Sequence, residues 1–153
     1  MHADLWSFSL GLYARPGVED ICLTLQKNGA NVCLLLCAAW LGWRGVGCSA
    51  QRAAHLRLAA QPWHDDVVRP LRELRQRWRQ TAGQDAELAQ LREQVKKLEL
   101  QAEHRLLARL EQLTEDWPAG IADDLEAWLS QAVPEPATQG DTLQRLRIAV
   151  AGL

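Results

Sequence analysis

Long hydrophobic segments are missing from this 153-residue chain. Its main apolar run, Val32 to Trp43, has 12 residues and is followed by Arg44. A helix of that length spans about 18 Å, which is short of the roughly 30 Å that a membrane-crossing helix must cover. No basic cluster precedes the run and Glu19 and Asp20 lie upstream, which is not the pattern of an export signal. We therefore expect a cytoplasmic protein with no membrane contact, in which this run is a buried helix.

Motifs that dictate a reaction are also missing. The chain has no glycine-rich phosphate loop, no G-x-S-x-G turn around a nucleophilic serine and no H-E-x-x-H zinc motif. We therefore expect no catalytic residue, no metal site and no cofactor, and a protein that is not an enzyme is favoured over an enzyme of unknown chemistry.

The overall composition is that of an ordinary folded domain, with 48% apolar and 24% charged residues. Seven tryptophans stand beside one Phe and one Tyr, and tryptophans mostly anchor cores. Charge is unevenly distributed: residues 1–80 carry a net charge of +4 and residues 81–153 a net charge of −6. Such asymmetry fits a nucleic-acid face, or two halves that pack together, and the second is favoured. We expect an N-terminal helical core over 1–82 and a second part over 83–153, packed as one domain.

Apolar residues recur with helical spacing almost throughout, and no strand pattern is found, so the predicted fold is all-α. Asp4 is suited to cap a first helix, and Asn31 to cap the apolar third helix. Ser49 is suited to cap a short helix that ends near Ala60. A further apolar face then runs from Trp63 to Trp78, with Pro70 inside it. The proline indicates either a kinked helix or a new helix that begins at Pro70, and the unbroken spacing favours the kink.

The longest predicted helix runs from Asp85 to about Asp116, after the break "TAGQD". Its first half has the apolar spacing of a coiled-coil seam, formed by Leu88, Leu91, Val95 and Leu98. The seam could pack on the N-terminal half of the same chain or on a protein partner, either a homodimer or a foreign helix. The segment "IADDLEAWLSQAV" and the C-terminal residues are predicted to form two further helices.

Two groups of residues resemble sites but have simpler explanations. Cys33 and Cys37 are one helical turn apart and could share a metal, yet they lie in an apolar run where buried free thiols are common. The word "WHDD" places His64 beside Asp65 and Asp66, as in some acid–base sites. Because these carboxylates follow Gln61-Pro62, they are expected in the first turn of a helix, where negative charge is favourable.

An arginine-rich segment is the strongest binding signal. Arg69, Arg72, Arg75 and Arg79 fall on or near one side of the predicted helix. Arginine suits phosphate and carboxylate groups. The stripe could bind RNA, an acidic protein or a nucleotide, or it could pair with carboxylates of the second half of the chain.

Several words in order give the chain a family resemblance: "LWSFSLGLYARPGVEDICLTLQ", "GANVCLLLCAAWLGWRG" and "VVRPLRELR". Over residues 5–80 they resemble a proteobacterial family known as domain of unknown function 2390. The resemblance implies a small, helical, cytoplasmic bacterial protein and no assigned activity, cofactor or catalytic residue. We expect a non-enzymatic adaptor or regulator that binds a protein partner or itself. The alternative is an RNA- or nucleoprotein-binding module that uses the arginine stripe.

Overall fold

The computed structural model describes residues 4–153, with the backbone alone at Ala137. The fold is all-α, as predicted, and no strand occurs in this part of the chain. The elements in chain order are α1 (Leu5–Tyr13), α2 (Val18–Lys27), α3 (Val32–Trp43), α4 (Ala50–Trp63), a π-helical turn (His64–Val68), α5 (Arg69–Ala82), α6 (Ala86–Leu113), α7 (Leu125–Gln131), a 3₁₀ turn (Pro136–Gln139) and α8 (Gly140–Ala151).

Helix α3 forms the centre of the fold. Asn31 caps it by accepting a hydrogen bond from the Leu34 amide at 3.3 Å, and every residue from Val32 to Leu41 is buried. Helices α1, α4, α6, α7 and α8 pack around it. At Gly42 a Cβ atom would lie 2.6 Å from the α7 backbone, so only glycine permits this approach. The predicted core helix is confirmed, and no helix among residues 4–153 is both long and apolar enough to cross a membrane.

Residues Ala50 to Ala82 form one unbroken helical segment, which corrects the predicted short helix that ends near Ala60. Pro62 lies inside α4, and a π-turn joins α4 to α5 just before Pro70. Within that turn the Arg69 amide donates to the His64 carbonyl, five residues back. A proline cannot donate its own hydrogen bond and crowds the carbonyl four residues earlier, and the wider turn accommodates this.

The segment between α6 and α7 is fastened to the end of α3. Helix α6 stops at Leu113 and not near 116, and α7 begins at Leu125 although the predicted helix began at Ile121. The amides of Ile121 and Ala122 donate to the Gly45 carbonyl at 3.0 Å, so they are not available to a helix. Further along, the Trp128 indole donates to the Val46 carbonyl at 2.8 Å.

Helices α5 and α6 form an antiparallel hairpin that lies partly outside the main core. None of the residues of α5, all of which the structure describes, is fully buried, and the helix packs chiefly against α6. Helix α6 contributes Leu106, Leu107 and Leu110 to the main core. Val95, further toward the start of α6, is buried outside that core, within the hairpin. The C-terminal half of α6 is therefore core, and its N-terminal half is one arm of the hairpin.

Candidate functional site

A buried carboxylate, Glu99, joins the two arms of the hairpin. Its Oε2 lies 3.0 Å from Nε of Arg72, and its Oε1 lies 2.5 Å from Nε of Arg75. The Glu99 side chain is only 7% exposed, so these are charge-assisted hydrogen bonds in a partly dry setting. On the same helix, Arg92 donates to the Arg75 carbonyl at 2.9 Å. These contacts fix how α5 and α6 align along their lengths.

The pKa values of neighbouring groups reflect this pairing. The hydrogen bond to Glu99 raises the pKa of Arg75, so the guanidinium remains charged. Burial raises the pKa of Glu103, one turn further on, although nearby Arg72 opposes the shift. Glu103 lies 4.0 Å from Arg72, too far for a strong hydrogen bond. Glu99 is therefore the principal partner of both arginines.

The structure divides the predicted arginine stripe into two pairs. Arg72 and Arg75 turn toward α6 and meet Glu99, whereas Arg69 forms an exposed ion pair with Asp65 at 2.7 Å and Arg79 is exposed. An exposed cluster without carboxylate partners would have suited RNA. Half of the stripe instead connects the two oppositely charged parts of the chain.

Sequence reasoning missed Glu99, because it occupies a position where coiled coils carry exposed flanking charges. A signal was nevertheless available. Glu99 falls between Val95 and Ala102 on the row that the structure buries, at spacings of four and three residues. A charged residue on an apolar row indicates a buried partner of opposite charge.

The predicted seam residues also divide into two rows. Val95 is buried and Leu88 half-buried, so these two belong to the contact with α5. Leu91 and Leu98 are 52% and 51% exposed. The seven-residue pattern thus describes two neighbouring rows, of which one packs within the chain and the other lies on its surface.

Two contacts define the sides of the hairpin. On one side the guanidinium carbon of Arg109 lies 3.9 Å from the centre of the Trp63 ring, and the Trp63 indole donates to the Ala102 carbonyl at 2.9 Å. On the other side lie Arg72 and Glu103. The first side is here called the Trp63 side.

The Trp63 side carries an apolar surface that no other part of residues 4–153 covers fully. At 100° per residue, Leu91 and Leu98 lie on the same side of α6 as Arg109, and Leu74 and Trp78 point away from Arg72 on α5. Leu74 and Trp78 are half-buried. We define the hairpin face as Leu74, Trp78, Leu91 and Leu98.

The four cysteines are free thiols, and Cys22, Cys33 and Cys37 are buried. Burial raises the pKa of Cys22 to about 11 and raises those of Cys33 and Cys37 further. Such thiols stay protonated and are poor nucleophiles and poor metal ligands. Among residues 4–153 there is no group of three metal-ligating side chains.

The structure places the "WHDD" residues inside the continuous helix, so the predicted first-turn position of Asp65 and Asp66 is wrong. Asp65 pairs with Arg69 and accepts hydrogen bonds from the Gln61 amide at 2.9 and 3.0 Å. Asp66 is exposed. His64 is buried on the π-turn. The two carboxylates therefore form no acid–base pair with His64.

Comparison with known proteins gives one result. The sequence profile of DUF2390, described as a protein of unknown function, matches residues 4–110. No curated protein and no solved structure matches the chain. The match extends past the expected range of 5–80 and includes α5 and all but the last three residues of α6. Because it covers more than half of the 153 residues, the chain belongs to the DUF2390 family.

Proposed function

We propose that this chain is a non-enzymatic helical adaptor or regulator that binds a protein partner through the hairpin face. The partner contributes one amphipathic helix, which lies along the surface between α5 and α6. The site of action is the cytoplasm, where the four free thiols suit the reducing conditions.

The exposure of Leu91 and Leu98 is the observation that carries this proposal. Each leucine leaves about half of its surface in water, and the two stand two turns apart on one row of α6. Half-buried Leu74 and Trp78 add apolar surface on the same side of the hairpin, from α5. Burying a leucine side chain fully is worth about 1.5–3 kcal/mol, so a partner helix gains by covering this row.

Charge favours a foreign helix over a second copy of the chain. The leucine row continues seven residues later at Arg105 and then at Arg109, both exposed, while Glu87 lies at its other end. This row therefore has an excess of positive charge. A partner helix with carboxylates beyond its apolar residues complements it, whereas two copies would bring the same basic rows into one interface.

The RNA-binding alternative is less favoured because Arg72 and Arg75, the centre of the stripe, are occupied by Glu99. Only Arg69 and Arg79 of that stripe are exposed. Binding of a protein through apolar residues does not need the stripe to be free.

A comparative capture experiment tests the proposal. The double substitution Leu91→Glu and Leu98→Glu places two charges on the hairpin face while leaving the Glu99 contacts in place. A matched control carries the same change at Leu58 and Ile148, which are 75% and 60% exposed on α4 and α8. Both variants should retain the helical circular dichroism signal of the parent chain.

We expect the hairpin variant to capture at least about tenfold less of a partner that both the parent chain and the control capture. A loss of this size is typical when a hot-spot cluster is removed. Equal capture of every partner by all three proteins would contradict the proposal. Dimerisation of the parent chain that the hairpin variant abolishes, measured by sedimentation, would replace the foreign helix with a second copy.

A further inference from the structure

A separate cavity of about 520 Å³ lies between the start of α3, the end of α4, the π-turn and the segment that follows α7. Its walls come from parts of the chain far apart in sequence, so the fold itself creates it. The polar side chains on its walls are Asn31, Arg57, Gln61, His64, Arg69, Ser130 and Gln131.

The cavity is rich in hydrogen-bond donors and in positive charge. Two arginines line it, and none of the described lining residues is acidic. Arg57 donates through Nη1 to Gln131, which leaves other donors of its five-donor guanidinium unused. Arg69 is held by an exposed pair with Asp65, and such pairs exchange readily. Both arginines are therefore able to turn toward an anion.

Asn31 supplies the observation that points to a ligand. The residue is only 8% exposed, and its side-chain nitrogen is the one buried side-chain nitrogen or oxygen of the described residues that lacks a hydrogen-bond partner. Its oxygen is already used as the cap of α3. A buried amide without an acceptor is unfavourable unless a ligand supplies one. The start of α3, a 12-residue helix, also presents the positive end of its dipole here.

His64 adds an imidazole ring to the guanidinium and amide groups of the cavity. It is 7% exposed, and its ring takes part in none of the hydrogen bonds formed within residues 4–153. Burial, with the nearby charges of Arg72 and Arg69, lowers the pKa of His64. The neutral ring has one donor and one acceptor nitrogen. It sits on a π-turn, a feature that often marks functional positions in helices.

We propose that this cavity binds a small phosphorylated compound, with the phosphate held by Asn31, Arg57 and Arg69 at the start of α3. Donors from three separate elements suit the tetrahedral phosphate better than a planar carboxylate, which two parallel donors satisfy. The volume leaves room for an organic part beyond the phosphate, within reach of His64. This site is distinct from the hairpin face and does not depend on it.

Nuclear magnetic resonance tests the proposal directly, with inorganic phosphate as the probe at constant ionic strength. We expect the side-chain amide of Asn31 and the ring of His64 to shift saturably as phosphate is added. Sodium acetate serves as the carboxylate arm and sodium chloride as the salt control. Shifts at these residues that do not saturate, or that chloride reproduces, would overturn the proposal. Saturable binding of acetate without phosphate would overturn the phosphate assignment.

Variants separate the site from the general surface charge. Asn31→Asp keeps an oxygen to cap α3 but replaces the unpartnered donor with a negative charge. We expect it to weaken phosphate binding by about tenfold or more, as for a lost charge-assisted hydrogen bond. Gln51→Glu changes the net charge equally at an exposed position of α4 and should bind phosphate like the parent chain. If Asn31→Asp fails to fold, Arg57→Gln with Arg69→Gln provides the same test. Phosphate binding that survives in the folded variants would refute the assignment.

Discussion

Removing Glu99 should destabilise the hairpin more than any other single change of a charged residue on it. Glu99→Ala leaves Arg72 and Arg75 without their carboxylate in a partly buried position. Loss of one member of a buried ion pair costs about 3–5 kcal/mol. The arginine side chains are 12% and 24% exposed, so water compensates in part. We expect the free energy of unfolding to fall by about 2–3 kcal/mol, just below that range.

The matched control is Glu93→Ala, on the same helix. Glu93 lies 3.6 Å from Lys96 and is 62% exposed, and such surface pairs contribute little. The assay is urea denaturation of both variants, followed by amide hydrogen exchange along α5 and residues 86–98 of α6. Because the hairpin lies partly outside the main core, we expect faster exchange there before the core opens.

A cost for Glu99→Ala no larger than that of Glu93→Ala would refute the argument that this buried pairing holds the hairpin. A second variant separates charge from packing. Arg72→Met and Arg75→Met combined with Glu99→Leu remove all three charges and fill the space with apolar groups, which often restores stability. We expect this triple variant to recover most of the lost free energy.

Three further predictions concern the core, the thiols and pH. Leu35→Asp places a charge in a fully buried position of α3 and should unfold the domain. The cost of burying that charge approaches a typical total stability of about 5–15 kcal/mol. A circular dichroism melt like that of the parent chain would contradict this prediction. Chain purified without chelator should show four titratable thiols after denaturation and no zinc, whereas one equivalent of zinc, lost on replacing Cys33 and Cys37 together, would overturn this. Burial and neighbouring arginines lower the pKa of His64 below 6.5, with Asp65 opposing the shift. The unfolded chain then takes up the proton first, so the free energy of unfolding should fall as pH drops below about 6.5. His64→Gln should remove that part of the pH dependence, and identical pH profiles for the two proteins would contradict it.

Local chemistry made much of the fold predictable. Asp4, Asn31 and Ser49 each cap the helix that the sequence assigned to them, because a cap depends on only a few neighbouring residues. The uninterrupted apolar character of α3 likewise indicated a buried helix.

What could not be predicted depends on tertiary contacts. The π-turn at His64–Val68 has no sequence marker. Pro62 indicated a new helix start and Pro70 a kink, whereas the structure has one continuous helical segment with the π-turn between the two prolines. Val95 is buried and Leu91 is exposed because of the side on which α5 packs against α6. Periodicity alone does not determine that side. The cavity at Asn31 depends on the segment after α7, far away in the chain, so no local pattern indicates it.

Site-specific photo-crosslinking tests the proposed hairpin face most directly. A photoreactive residue at Gln94, an exposed position next to Leu91 and Leu98 on α6, should crosslink in the native organism to a protein partner. Mass spectrometry should place the crosslink in an amphipathic helix that carries carboxylates beyond its apolar residues. The same group at exposed Gln51 of α4 should not capture that partner. Equal crosslinking from Gln51, or crosslinks from Gln94 that persist after Leu91→Glu and Leu98→Glu, would contradict binding through the hairpin face.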